Sequence, residues 1–225
     1  MIGNMKNTVD KSTGIILTIV FFFLLSYASA QQKQGEPKDA NSYIDRGIAY
    51  VEKDQYDQAI SDYNKALEID PKSAGAYYYR GLAYAKKGQY DRAISDFTGA
   101  LKINPKDPNA YFNRGLAYVE KDQSDQAVDD FTKVIEIDPK STVAYFYRGI
   151  GYVSKGELDW AVNDFTKVLE IDPKAAGAYY YRATAYYSRK DYNNSWKDIK
   201  RAQDFGYKIP SKFLENLRKA SGRQS

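Results

Sequence analysis

Five arginines, Arg46, Arg80, Arg114, Arg148 and Arg182, recur every 34 residues, and five aspartates, Asp62, Asp96, Asp130, Asp164 and Asp198, follow them by sixteen. Tyrosines crowd the arginines, as in Tyr77-Tyr78-Tyr79-Arg80 and Tyr179-Tyr180-Tyr181-Arg182. Two chemistries suit such a set. Guanidinium forks beside aromatic rings can hold phosphates and stacked bases. Guanidinium forks opposite carboxylates can form bidentate, charge-assisted pairs that fix register. The equal number of periodic aspartates favours the second. The spacing predicts a ladder of partly buried, structural Arg–Asp pairs, each within one helical hairpin or between neighbours.

Composition narrows the chemistry further. The 225-residue chain has no histidine and no cysteine, but 22 tyrosines. This removes a thiol nucleophile, a disulfide framework, a thiolate zinc site and an imidazole base. No phosphate-binding glycine loop, metal-ligand spacing or nucleophile–base arrangement appears. The expectation is a non-enzyme with no cofactor and no metal, although a carboxylate-only site stays open. A net charge of +4 gives no strong footprint for nucleic acid.

The elements that position these residues follow the same period. Gly47, Gly81, Gly115 and Gly149 recur at 34, as do Ala59, Ala93, Ala127 and Ala161 and then Pro71, Pro105, Pro139 and Pro173. The units are 40–73, 74–107, 108–141, 142–175 and 176–209, the last having lost its glycine and proline. In each unit apolar residues return at three- and four-residue spacing, which is a helix period. Lys87-Gly88-Gln89 breaks the first such stretch, and a second follows through Ala93, Phe97 and Leu101. Asp57, Asp91, Asp125 and Asp159 open the second helices, where a carboxylate can cap or favour the dipole. Small Gly81 beside small Ala93 lets the paired helices approach. Each hairpin is too small to bury its own apolar face, so neighbours must stack.

The order Gly-x-x-Tyr, Ala-x-x-x-Phe and Pro at this period resembles the tetratricopeptide repeat. The resemblance covers 40–209 and departs from the family pattern in two places. Tyr43, Tyr77, Tyr111, Tyr145 and Tyr179 stand where the motif has Trp, and the five arginines stand where it has Leu. It implies an all-α fold: a right-handed α-solenoid of stacked antiparallel hairpins, with 210–225 as a C-terminal capping helix and tail.

In that family slots two, five, nine, twelve and thirteen of the first helix line a concave groove. Numbering each unit from its first residue, slot five is Ile44, Tyr78, Phe112, Phe146 and Tyr180. Slot nine holds Ile48, Leu82, Leu116 and Ile150; slot twelve holds Val51, Ala85, Val119, Val153 and Tyr187. Asn109, with Asn41 and Glu52, belongs to a polar margin. The resemblance thus implies a scaffold that binds an apolar or amphipathic protein or peptide segment through this stripe. The bland reading is that the stripe is core between first helices. Ile44 and Ile48 occupy slots where carboxylate-clamp members carry lysine and asparagine, which disfavours that kind of peptide tail. Within "AYYYR", the slot-four tyrosine is expected between hairpins, the slot-five tyrosine in the groove, and Tyr79 and Tyr181 toward the rim.

The N-terminus reads differently. Lys6 and Lys11 precede an apolar run, Gly14–Leu25, and then Ala28-Ser29-Ala30. Basic, apolar and small-x-small segments in that order match a secretory signal peptide cleaved after Ala30, with a retained anchor as the competitor. The run is shorter than the ~20 residues that span a bilayer. Residues 31–39 read as a flexible leader. The expected location is periplasmic or secreted, without membrane contact after cleavage. A carbohydrate-binding module stacking sugars on Tyr78, Phe112, Phe146 and Tyr180, or an enzyme-associated accessory subunit of the cell envelope, is the alternative.

Overall fold

The structure, a computed structural model, describes residues 38–223, and these form eleven helices with no strand among them. The signal and leader readings at 1–37 lie outside the described residues. Ten helices make five hairpins. These are α1 (Ala40–Val51) with α2 (Tyr56–Ile69), α3 (Ala74–Lys86) with α4 (Tyr90–Ile103), and α5 (Pro108–Val119) with α6 (Ser124–Ile137). Then come α7 (Thr142–Lys155) with α8 (Leu158–Ile171), and α9 (Ala176–Ser188) with α10 (Tyr192–Asp204), before a single α11 (Ser211–Ser221). Each helix packs on the next in the chain, so the hairpins stack as an α-solenoid.

Local chemistry sets the ends. Ser73 Oγ accepts the Ala76 N–H, and Asp107 accepts from Asn109 and Ala110 with Pro108 opening α5. The turn inside each hairpin needs a left-handed residue. Gly88 and Gly156 supply it at φ +70° and +75°, while Asp54, Asp122 and Lys190 adopt it at +56°, +57° and +62°. The second helices α2, α4, α6 and α8 have no side-chain cap at Gln55, Gln89, Gln123 or Glu157. Asp57, Asp91, Asp125 and Asp159 lie inside the first turn of these helices, near the positive dipole end. They do not cap; they reach the next hairpin instead.

The close approach inside a hairpin is a glycine against a ring. A Cβ on Gly81 would lie 2.9 Å from Phe97, and one on Gly115 or Gly149 would lie 2.8 Å from Phe131 or Phe165. Phe97, Phe131 and Phe165 are fully buried, so the glycine makes room for the ring of its own second helix, not for Ala93. Tyr63 takes the ring slot in the first hairpin, and its buried hydroxyl has no hydrogen-bond partner among the described residues. The fifth hairpin exchanges both members of the pair, with Ala183 and Ile199 buried together under Leu217 of α11.

In the 34-residue register a sixth unit would begin at Pro210. Asn216 and Leu217 would then take its arginine and glycine slots. With no second helix to follow, α11 turns Phe213, Leu214 and the fully buried Leu217 onto the fifth hairpin.

Candidate functional site

Each of the five arginines holds the aspartate sixteen residues on, across its own hairpin, with two nitrogens. Arg114 Nε and Nη2 donate to Asp130 at 2.8 and 2.7 Å, and Arg148 repeats this with Asp164 at 2.8 and 2.7 Å. Arg46–Asp62, Arg80–Asp96 and Arg182–Asp198 share the arrangement, at 2.6–2.9 Å. The carboxylates are buried. Hydrogen bonding to Asp130 holds the Arg114 guanidinium above its ordinary value. Burial pushes Asp130 and Asp164 above the usual carboxylate range, against the pull of their arginines.

The third nitrogen does work that spacing alone did not suggest. Arg80 Nη1 donates to Asn64 Oδ1 at 2.6 Å, and Arg114, Arg148 and Arg182 donate to Thr98, Thr132 and Thr166 at 3.0, 3.1 and 2.9 Å. Each acceptor lies sixteen residues before its arginine, on the second helix of the preceding hairpin. One guanidinium thus ties two hairpins. The signal was in the sequence: Asn64, Thr98, Thr132 and Thr166 recur at 34. Arg46 has no hairpin before it, and its side chain is 34% exposed against 16–19% for the other four.

The same arginines lie over tyrosine rings. The Arg114 guanidinium carbon is 5.5 Å from the Tyr111 ring and 6.0 Å from Tyr118; Arg148 sits 5.5 and 5.8 Å from Tyr145 and Tyr152. Part of the tyrosine excess therefore shields guanidinium groups by cation–π contact. Two forks on carboxylate and amide or hydroxyl oxygens leave little for a phosphate.

A second ladder runs outside the first. Lys155 Nζ meets Asp125 at 2.8 Å and Arg189 Nη1 meets Asp159 at 2.9 Å; Lys87 meets Asp57 and Lys121 meets Asp91 likewise. The span is thirty residues, from one hairpin to the next, and these aspartates are 79–84% exposed.

The slot-five rings are less available than the groove reading expects. Ile44 is buried outright. Tyr78 packs on Phe97, Phe112 on Phe131 and Tyr147, and Phe146 on Phe165 and Tyr181, with centroids 5.1–5.9 Å apart. Tyr180 stacks on Tyr207 at 4.8 Å and meets Phe213 at 5.6 Å, and Tyr187 meets Phe213 at 5.5 Å. The segment leading into α11, with α11 itself, therefore covers these two.

Slot six is a correction. Tyr79 and Tyr181 do not go to the rim. Tyr79 stacks on Tyr63, and Tyr147 and Tyr181 lie 5.8 and 6.1 Å from Phe131 and Phe165, the buried rings of the preceding hairpin. Asn113 takes that slot in the third hairpin and donates to the Tyr78 hydroxyl at 3.1 Å. One helix wheel cannot reveal this, because the partner belongs to another repeat.

What remains along the first helices is aliphatic and half-buried: Ile48, Leu82, Leu116 and Ile150 in slot nine, with Val51, Val119 and Val153 in slot twelve. Asn109 and Val143 are exposed at slot two. Among the described residues no group of three or more carboxylates gathers where it could hold a metal, and no helix is long and apolar enough to cross a membrane.

Comparison with known proteins agrees with this geometry. A profile described as TPR repeat matches residues 47–88, 81–122 and 151–189, and one described as tetratricopeptide repeat matches 108–141. No curated protein matches the chain significantly. Among solved structures, YrrB, described as a TPR protein with an unusual peptide-binding site, is 26% identical, with a TM-score of 0.70, covering 88% of this chain and 98% of its own. Two crystal structures of MamA are 26% and 25% identical, with TM-scores of 0.69 and 0.71. They cover 71% and 83% of this chain and 93% and 96% of their own. With its repeats matched over more than half its length and stacked as such repeats stack, the chain belongs to the tetratricopeptide repeat family.

Proposed function

We propose that the array is a non-enzymatic scaffold that binds an apolar or amphipathic segment of another protein, outside the cytoplasm. The observation that carries this is the run of half-buried aliphatic side chains at slots nine and twelve in four successive hairpins. A row of partly exposed Leu, Ile and Val along a stacked array offers continuous contact to one extended or helical segment. The peptide-binding site named for YrrB supports the same kind of partner. The contact set narrows from the full stripe to Ile48, Val51, Leu82, Leu116, Val119, Ile150 and Val153, with Asn109 and Val143 at its margin. The sugar-stacking alternative is not favoured, because the rings it needs already pack on other rings. The order of basic, apolar and small residues in 1–30 supports export.

The test is a crosslinking capture from a native cell-envelope fraction, comparing the chain with a Leu82→Ser/Leu116→Ser/Ile150→Ser variant whose helicity is checked in parallel. The proposal expects the variant to lose its specific partners while remaining folded. A folded variant that keeps them all would end the groove assignment. N-terminal sequencing of the fractionated protein should begin at Gln31; a cytosolic chain beginning at Met1 would end the export assignment.

A further inference from the structure

Charge is distributed unevenly along the array. Residues 40–188 carry nineteen Lys and Arg against twenty-two Asp and Glu, a net of −3. Residues 189–223 carry ten against four, a net of +6. The ladders explain where the sign changes. In earlier hairpins the outer face of the second helix offers acceptors to the next repeat: an aspartate at slot eighteen, and Asn or Thr at slot twenty-five. In α10 these become Asn193 and Lys200, with Lys197 and Arg201 beside them. No arginine follows, since its slot is Asn216. Lys197, Lys200, Arg201, Lys208, Arg218 and Lys219 are exposed and none forms an ion pair with a described carboxylate, whereas Arg189 and Lys212 are paired.

We infer that this C-terminal end is a docking surface for a membrane bearing anionic phospholipid headgroups. A polar cap is all that solubility of a terminal repeat requires; a cap of one sign exceeds that need. The cations line two adjacent shallow clefts that share Lys197 and Lys200, one including Arg182 and Arg201 and the other Arg223. They continue over the outer side of α11. This spread suits many headgroups at once and does not line a single channel for a strand. No ring is offered for stacking bases: the Trp196 indole is covered by Arg223 at 5.7 Å and donates to Ser221 Oγ at 3.0 Å. An apolar contact lies within the basic rim, since Phe205 is exposed between Arg201 and Lys208 in the chain. Basic residues with an accompanying aromatic ring are the pattern of peripheral attachment to anionic bilayers. The surface is separate from the aliphatic stripe, so it stands whether or not that stripe binds a peptide.

The experiment is vesicle co-sedimentation of the full chain. Vesicles of phosphatidylcholine containing about one-third phosphatidylglycerol are compared with phosphatidylcholine alone, since each basic residue at an anionic surface adds several-fold to partitioning. The apolar segment Gly14–Leu25 is the same in every variant and meets both vesicle types, so the difference between them reads charge. Wild type should partition at least about tenfold more strongly onto anionic vesicles, with the preference falling as salt rises. Lys197→Glu/Lys200→Glu/Arg201→Glu should remove that preference. Lys102→Glu/Lys106→Glu/Lys140→Glu makes the same charge change on internal turns and should retain most of it. Equal binding to both vesicle types would overturn the inference, as would equal losses in the two variants. So would binding to polyglutamate or DNA without binding to anionic vesicles, which would indicate an acidic protein or a nucleic acid instead.

Discussion

The third and fifth hairpins are built on one plan, and they differ where a following repeat would dock. Both keep the bidentate pair, Arg114–Asp130 in one and Arg182–Asp198 in the other. Both arginines also reach back to a threonine, Thr98 or Thr166. The third hairpin then presents Asp125 and Thr132 to the fourth, whereas the fifth presents Asn193 and Lys200 to nothing of that kind. Its ring pair shrinks from Gly115 and Phe131 to Ala183 and Ile199. Its second helix gains a cap, because Asp191 accepts the Asn194 N–H, while Gln123 caps nothing. What acts within a hairpin and toward the preceding one is retained. What would recruit a successor is lost.

That contrast can be broken at its strongest point first. Asp130→Ala and Asp198→Ala each leave an arginine facing a hole, and each should cost about 3–5 kcal/mol by chemical denaturation. The two should agree, because the pair is common to both hairpins; a terminal cost near zero would sever the analogy. Gly115→Ala should come next, at roughly 1–3 kcal/mol, since the new Cβ meets a buried ring that cannot withdraw. Ala183→Gly should also destabilise, by about 1 kcal/mol, because that helix position has no ring to accommodate. A stabilising Gly115→Ala would show that the ring has room.

The joint between hairpins should respond more weakly. Thr132→Val removes the oxygen that Arg148 uses across the interface and should cost about 1 kcal/mol. Lys200→Thr restores that oxygen where no arginine arrives, and its stability should stay within about 0.5 kcal/mol of wild type. Asp191→Ala sharpens the end. The Asn194 side chain, then its backbone N–H, hold the Asp191 carboxyl below the usual range. Such a group stabilises the fold above its ordinary pKa, and that contribution is lost as pH falls through the depressed value. The variant should therefore lose about 1 kcal/mol at neutral pH, with the gap to wild type closing below about pH 4. A gap that persists in acid would mean that the carboxylate's charge is irrelevant.

The repeat, its helix pairs and the sixteen-residue Arg–Asp spacing are legible in the sequence because each is a periodic signal within one unit. The cross-repeat contacts are harder to read. The slot-six tyrosines and the threonine acceptors carry the same 34-residue period, but period alone does not say which neighbouring helix a side chain meets. The slot-five rings show the limit of analogy. The family assigns them to a groove, and here a second aromatic residue at slot six, Tyr147 or Tyr181, draws them into the joint. The charge reversal after Ser188 was also in the sequence, hidden by a mild total of +4.

The central claim is that one arginine per repeat is coupled to the aspartate of its own hairpin. A double-mutant cycle on Arg114→Ala and Asp130→Ala, read by urea unfolding, tests it directly. The two single losses should exceed the double-mutant loss by more than about 1 kcal/mol. Losses that add to within about 0.5 kcal/mol would contradict it.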